Sequence, residues 1–255
     1  MSGETPSSWH TLELNEADIG PAARVKMLDN CDFPIEEESI GDFKVLKMPT
    51  NLLGYFNDEG YGAVRINSTE LAARLPDYGG GTAPGRSQIP HQDHIPGDRR
   101  RFLAFSKADS TPRGSSTYLV HPELARKTLP LILAEFNAHR EELRDCFIYS
   151  PPYMVTKEEL YQCFESGGIE RLMQTKFGEN TPENIKLFAY LGVLTYLTQG
   201  DFGDRIVKEF LQQNEGAVFR EDWNTPGVLI IDNTNMFHGR FGPNVRIKRN
   251  WLVEP

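Results

Sequence analysis

Cysteine is scarce: the chain of 255 residues has three, Cys31, Cys146 and Cys163. So small, odd and scattered a set builds neither a disulfide framework nor a cysteine metal site, and it suits a reducing compartment. Long hydrophobic runs are missing as well. The most apolar stretch, Leu187 to Leu197, is broken by Gly192 and Thr195 and is far too short to cross a bilayer. The opening Met1-Ser2-Gly3-Glu4-Thr5-Pro6 has neither a basic start nor an apolar segment, so no secretory signal is read there and a cytoplasmic location is expected. Positive charge is in deficit, with 27 Lys and Arg against 36 Asp and Glu, a formal net charge of −9. Nucleic-acid binders carry a basic stripe, whereas here Arg99-Arg100-Arg101 is the one basic cluster and reads as a solvated turn. Neither nucleic acid nor membrane is expected as a partner, which leaves a small molecule.

At 39% hydrophobic and 25% charged residues, the composition is that of an ordinary globular protein able to fold without disulfides or a structural metal. Two stretches organise it: Pro90-His91-Gln92-Asp93-His94, and Asp232-Asn233-Thr234-Asn235-Met236-Phe237-His238-Gly239-Arg240. Successive side chains of a strand point to opposite faces, so His91 and Asp93, two apart, project together if they lie on one. His238 follows Asp93 by 145 residues. It joins the pair only if a second strand lies alongside, as in a closed or sandwiched β-barrel. Two imidazoles and a carboxylate on one face of a metal leave the opposite positions open, the arrangement of non-haem Fe(II) oxygenases.

Further segments fall in a matching order. Arg249 lies eleven residues past His238, in Arg246-Ile247-Lys248-Arg249-Asn250-Trp251. Trp223-Asn224-Thr225-Pro226-Gly227-Val228-Leu229-Ile230-Ile231-Asp232-Asn233 precedes the second histidine, and Gly114-Ser115-Ser116-Thr117 follows the first motif. Over about residues 41 to 253 the chain resembles the taurine dioxygenase and clavaminate synthase-like family of Fe(II)/2-oxoglutarate oxygenases. It departs from the family at Val228, where an Asp is common, and at Ser115, where a second Gly is usual.

The resemblance implies a double-stranded β-helix (jelly-roll) core, mainly β, with helices packed outside. It implies Fe(II) held by His91, Asp93 and His238, and 2-oxoglutarate and O2 as cosubstrates. The distal carboxylate of 2-oxoglutarate would rest on Arg249 and Thr117. Arg's planar fork suits a carboxylate, and Arg249 is favoured over Arg246 because its position resembles the family's. The implied activity is oxidation, by default hydroxylation, of a small polar metabolite such as an amino acid or derivative, with release of succinate and CO2. Related halogenating enzymes carry a small residue where Asp93 stands, so halogenation is not expected. Desaturation, cyclisation and epimerisation share the early chemistry and stay open, as does the oligomeric state.

In chain order, residues 1–40 read as a peripheral N-terminal segment and 41–255 as a single domain with a helical insertion at about 121–215. Strands are expected at Phe43–Met48, Tyr61–Ile66, His91–Ile95, Phe102–Phe105, Ser116–Val120, Ala217–Phe219, Val228–Ile231 and Val245–Val253. Ser68-Thr69-Glu70-Leu71 reads as a helix start. Helical spacing also appears around Leu129–Phe136, after Thr156, after Thr181, and at Ile206, Phe210 and Leu211 up to Gly216. The glycine-rich stretch 76–86 lacks the Lys-Ser/Thr ending of a phosphate loop and reads as a flexible loop or lid.

Several residues have competing readings. His91-x-x-His94 is a rival pairing better suited to a helix. Arg240 is expected on the strand face opposite to His238, as a substrate contact or an ion-pair partner. Asp232-Asn233 reads as a turn and Trp223 as core. A metallo-hydrolase with an H-x-H-x-D-H signature would need histidine at Ile89. A non-catalytic jelly-roll metal-binding protein is the remaining alternative.

Overall fold

The computed structural model describes residues 23–78, 87–93, 99–110, 114–126, 138, 195, 201–242 and 247–255. The helices expected around Leu129–Phe136, after Thr156 and after Thr181 lie outside them, as do His94, Arg246 and residues 79–86 of the glycine-rich stretch. In chain order the elements are β1 (Val25–Leu28), β2 (Glu37–Ile40), β3 (Phe43–Lys47), α1 (Thr50–Asn57), β4 (Ala63–Ile66), α2 (Thr69–Arg74), β5 (Gln88–His91), β6 (Phe102–Lys107) and β7 (Ser116–Val120). There follow α3 (Asp201–Gln213), β8 (Phe219–Glu221), β9 (Gly227–Asp232), β10 (Phe237–Phe241) and β11 (Lys248–Val253).

The described residues are mostly β, with their strands in two sheets. The larger runs β1-β4-β9-β6-β11-β3-β2 and the smaller β5-β10-β7-β8. From β5 onward the chain alternates between them, apart from the antiparallel pair β7 and β8. This layout is compatible with a β-sandwich or jelly roll. Alternation along the strands assigns the faces of the large sheet. Val64, Ile66, Phe102, Ala104, Val228, Ile230 and Leu252 pack on Leu52 and Phe56 of α1 and Leu71 and Ala72 of α2. Their neighbours Ala63, Leu103, Leu229 and Ile231 turn the other way and meet Leu119 of the small sheet, with Trp223 and Met236. Both faces of β6 and β9 are therefore covered, so these strands read as near-continuous apolar runs.

Most expected strands are present with shifted ends. Two strands were not anticipated: β1 and β2 occupy the edges of the large sheet. They are short, half-exposed and weakly patterned. Helix α1 also escaped notice, since it has eight residues, an internal Gly54 and no side-chain cap at Pro49. Burial of Leu52 and Phe56, one turn apart, holds it. Helix α2 carries its own signals: the Ser68 hydroxyl accepts from Leu71 N, and the chain turns extended at Leu75, before Pro76. Helix α3 ends at Gln213 rather than running to Gly216, because the Asn214 side chain donates to Phe210 O at 2.7 Å. The Arg99–Arg101 cluster is no simple solvated turn. Arg99 pairs with Glu38, Arg100 lies over Phe43 and Trp251, and Arg101 bridges Asp232 and Glu254.

Candidate metal centre

Strands β5 and β10 pair antiparallel with His91 directly opposite His238. Directly paired residues share a sheet face, so both imidazoles enter the space between the sheets, with ring centroids 4.5 Å apart. Phe105 of the large sheet lies 5.5 Å from the His238 ring and roofs the pair. Pro90, with no N–H to donate, is tolerated because β5 is an edge strand. Gly239 is demanded by proximity: a Cβ there would collide with the Tyr118 ring and Gln88 O.

The strand expected over His91–Ile95 ends at His91. Asp93 is therefore placed not by strand alternation but by a turn from the other half of the chain. Its N–H donates to Asn233 Oδ1 at 3.3 Å, and Gln92 Nε2 donates to Thr234 O and Met236 O at 3.0 and 3.2 Å. Asp232 shapes that turn, accepting from the Thr234 N–H and hydroxyl and from Asn235 Nδ2. Gln92 and Asn233 thus tie the segment carrying the first two candidate ligands to the segment carrying the third. The turn expected at Asp232-Asn233 is present, but its tie to Asp93 has no signal in the sequence, where Gln92 is only the variable position of the tripeptide.

His91, Asp93 and His238 each offer one ligand atom, and these lie within 4.8 Å of one another. Asp93 Oδ1 is 3.8 Å from His91 Nε2 and Oδ2 is 3.3 Å from His238 Nε2. His91 Nδ1 is 2.9 Å from Ile89 O, which can only accept, so Nδ1 carries the proton and Nε2 keeps its lone pair toward Asp93. Burial, helped by the neighbouring His238, pushes the His91 imidazole down to about 4, so it is neutral at pH 7. For Asp93, burial alone would raise the carboxyl; the Arg249 guanidinium and the two imidazoles outweigh it and hold the group well below the usual carboxylate range. A neutral imidazole with its lone pair directed at an anionic carboxylate is a donor set suited to a divalent cation.

Arg249 enters from β11 opposite Phe105, and its Nη2 donates to Asp93 Oδ2 at 2.5 Å. Its Nε is buried without a hydrogen-bond partner. Thr117 pairs with Arg240, two residues along β10 from His238, and its hydroxyl accepts from Trp223 Nε1 at 2.9 Å. The same register corrects the expectation for Arg240. Being two residues past His238 on one strand, it shares the histidine's face rather than opposing it. Arg240 also lies near the Asp204 carboxylate of α3.

No family model and no curated protein matches the chain. Among solved structures it is similar to a protein from Burkholderia xenovorans provisionally assigned as an alpha-ketoglutarate dependent 2,4-D dioxygenase, at 14% identity and a TM-score of 0.36, over 86% of this chain and 97% of that one. A likeness of that size assigns neither fold nor function. No helix among the described residues is long and apolar enough to cross a membrane.

Proposed function

We propose that the protein is an Fe(II)/2-oxoglutarate-dependent oxygenase with a double-stranded β-helix core, oxidising a small polar metabolite such as an amino acid or derivative. One observation carries this reading: two imidazoles and one carboxylate converge from two strand ends, beside an arginine with a buried, unpartnered N–H. The order in which β3 and β5 to β11 visit the two sheets supports the double-stranded β-helix. The net charge of −9 favours a small-molecule substrate over nucleic acid.

In this reading His91, Asp93 and His238 would hold Fe(II). When bound, Fe(II) and 2-oxoglutarate supply the oxidising chemistry, releasing succinate and CO2. The chain's own residues bind and orient. The proton on His91 Nδ1, secured by Ile89 O, keeps Nε2 available as a ligand. The clamp made by Gln92 and Asn233 keeps Asp93 in register with His238. Arg249 and Thr117 receive the distal carboxylate of the cosubstrate. A buried N–H left unpaired costs about 1–3 kcal/mol, so the bare Arg249 Nε favours an anionic ligand that completes it. Phe105 and the surrounding apolar side chains limit water around the site.

Anaerobic addition of Fe(II) and 2-oxoglutarate should produce a weak visible charge-transfer band, and air should then give succinate. A protein that binds neither Fe(II) nor 2-oxoglutarate would refute the proposal. Metal binding without succinate formation under any substrate would instead favour the non-catalytic metal-binding protein, and 2-oxoglutarate-independent hydrolysis a metallo-hydrolase.

A further inference from the structure

Trp223 follows β8 and reads from the sequence as a core residue, and it is indeed buried among Leu103, Leu119 and Leu229. Its polar edge has a definite partner: the indole Nε1–H donates to Thr117 Oγ1, both residues being buried. A hydroxyl offers one hydrogen and two lone pairs. With a lone pair taken by the indole, the Thr117 hydrogen is left to turn toward an acceptor, and the Thr117 strand position faces the same side as His238.

The tryptophan is held where a bulky residue would not ordinarily stay. Its backbone lies at φ 55, a left-handed conformation that persists only when the surroundings impose it. Here they do. The Trp223 N–H donates to Glu221 Oε1 at 2.9 Å, and Lys107 Nζ donates to Trp223 O at 3.2 Å. The other Glu221 oxygen takes Arg65 Nε at 2.5 Å, and Arg65 is anchored in turn on Ile66 O and Thr225 O. Gly227 makes room for that guanidinium, since a Cβ there would collide with it.

We propose that Trp223 is a positioning residue whose indole N–H sets the Thr117 hydroxyl as a donor toward the distal carboxylate of the 2-oxo acid, the Glu221–Arg65 pair holding the tryptophan in place. This rests on the cosubstrate reading above. A tryptophan serving only to fill space would act independently of Thr117, and that difference is measurable.

The test is calorimetric titration of the full chain loaded with Mn(II), using 2-oxoglutarate and, as a probe lacking the second carboxylate, pyruvate. Trp223→Phe keeps an aromatic ring at the same backbone conformation and deletes the N–H. It should raise the Kd for 2-oxoglutarate about threefold to tenfold, with Mn(II) and pyruvate affinities changed by less than about twofold. Thr117→Val should give a similar loss, and adding Trp223→Phe to it should cost less than about twofold more, because the two act as one unit. If Trp223→Phe does not fold, benzothienylalanine at position 223 places sulfur at the N–H site with nearly unchanged shape. An unchanged Kd in the 223 variant, equal losses with and without the Thr117 hydroxyl, or a parallel loss of pyruvate affinity would overturn the positioning role alone. Wild-type protein that binds Mn(II) but no 2-oxoglutarate would overturn the cosubstrate reading and this role together.

Discussion

Arg65 and Arg249 stand in one row of the large sheet, linked across it by the pairs Arg65 with Leu229, Leu229 with Phe105 and Phe105 with Arg249. Paired residues share a face, so both arginines enter the space between the sheets. Their surroundings differ. Arg65, 1% exposed, spends its donors on Glu221, Ile66 O and Thr225 O. Arg249, with 30% of its side chain exposed, donates from Nη2 to Asp93 and leaves a buried Nε bare. A saturated buried cation is part of the scaffold, whereas an incompletely paired one beside three potential metal ligands has capacity for something that arrives later. One end of the row holds the sandwich together; the other, in the proposed reading, receives the carboxylate of the 2-oxo acid.

That contrast can be broken experimentally. The largest effect belongs to the ligands themselves: His91→Ala or His238→Ala should abolish the Fe(II)–2-oxoglutarate charge-transfer band, and an undiminished band in both would place the metal elsewhere. Next, Arg65→Met leaves the largely buried Glu221 carboxylate without its cation, with only the Trp223 N–H still donating to it. It should lower unfolding stability by about 3–5 kcal/mol in denaturant titration, with metal affinity in the folded fraction nearly unchanged.

A pH effect of smaller size should come from His91. Its folded value, about 4, lies below its ordinary 6.5, so the unfolded chain takes up a proton first as pH falls. Stability of the metal-free protein should therefore be full above about pH 6.5 and decline toward pH 4, by a total on the order of 3 kcal/mol, and His91→Gln should flatten that slope in thermal melts. At the binding end, Arg249→Ala should weaken 2-oxoglutarate by about 1.5–3 kcal/mol in calorimetric titration. Arg246→Ala, the control, should have the smallest effect on the same titration; equal losses in the two variants would remove the distinction between them.

The sequence by itself determined the chemistry available at the site. Histidine, aspartate and arginine, in that order and spacing and with the segments between them, carry the family resemblance, and short apolar runs bounded by turn residues marked β6, β7 and β9. Side-chain type and strand period are local properties, encoded residue by residue. Only the tertiary structure decided how those groups meet. The pairing of His91 with His238 depends on register between strands far apart in the chain, and Asp93 owes its place to a turn at Asp232–Met236 rather than to its own strand. The same holds for Arg240, whose face follows from strand period but whose proximity to Asp204 depends on the packing of α3. The roles of Gln92, Asn233 and Trp223 were invisible for the same physical reason: each acts through a hydrogen bond to a residue more than a hundred positions away, and a partner that distant is specified by packing, not by neighbours in sequence.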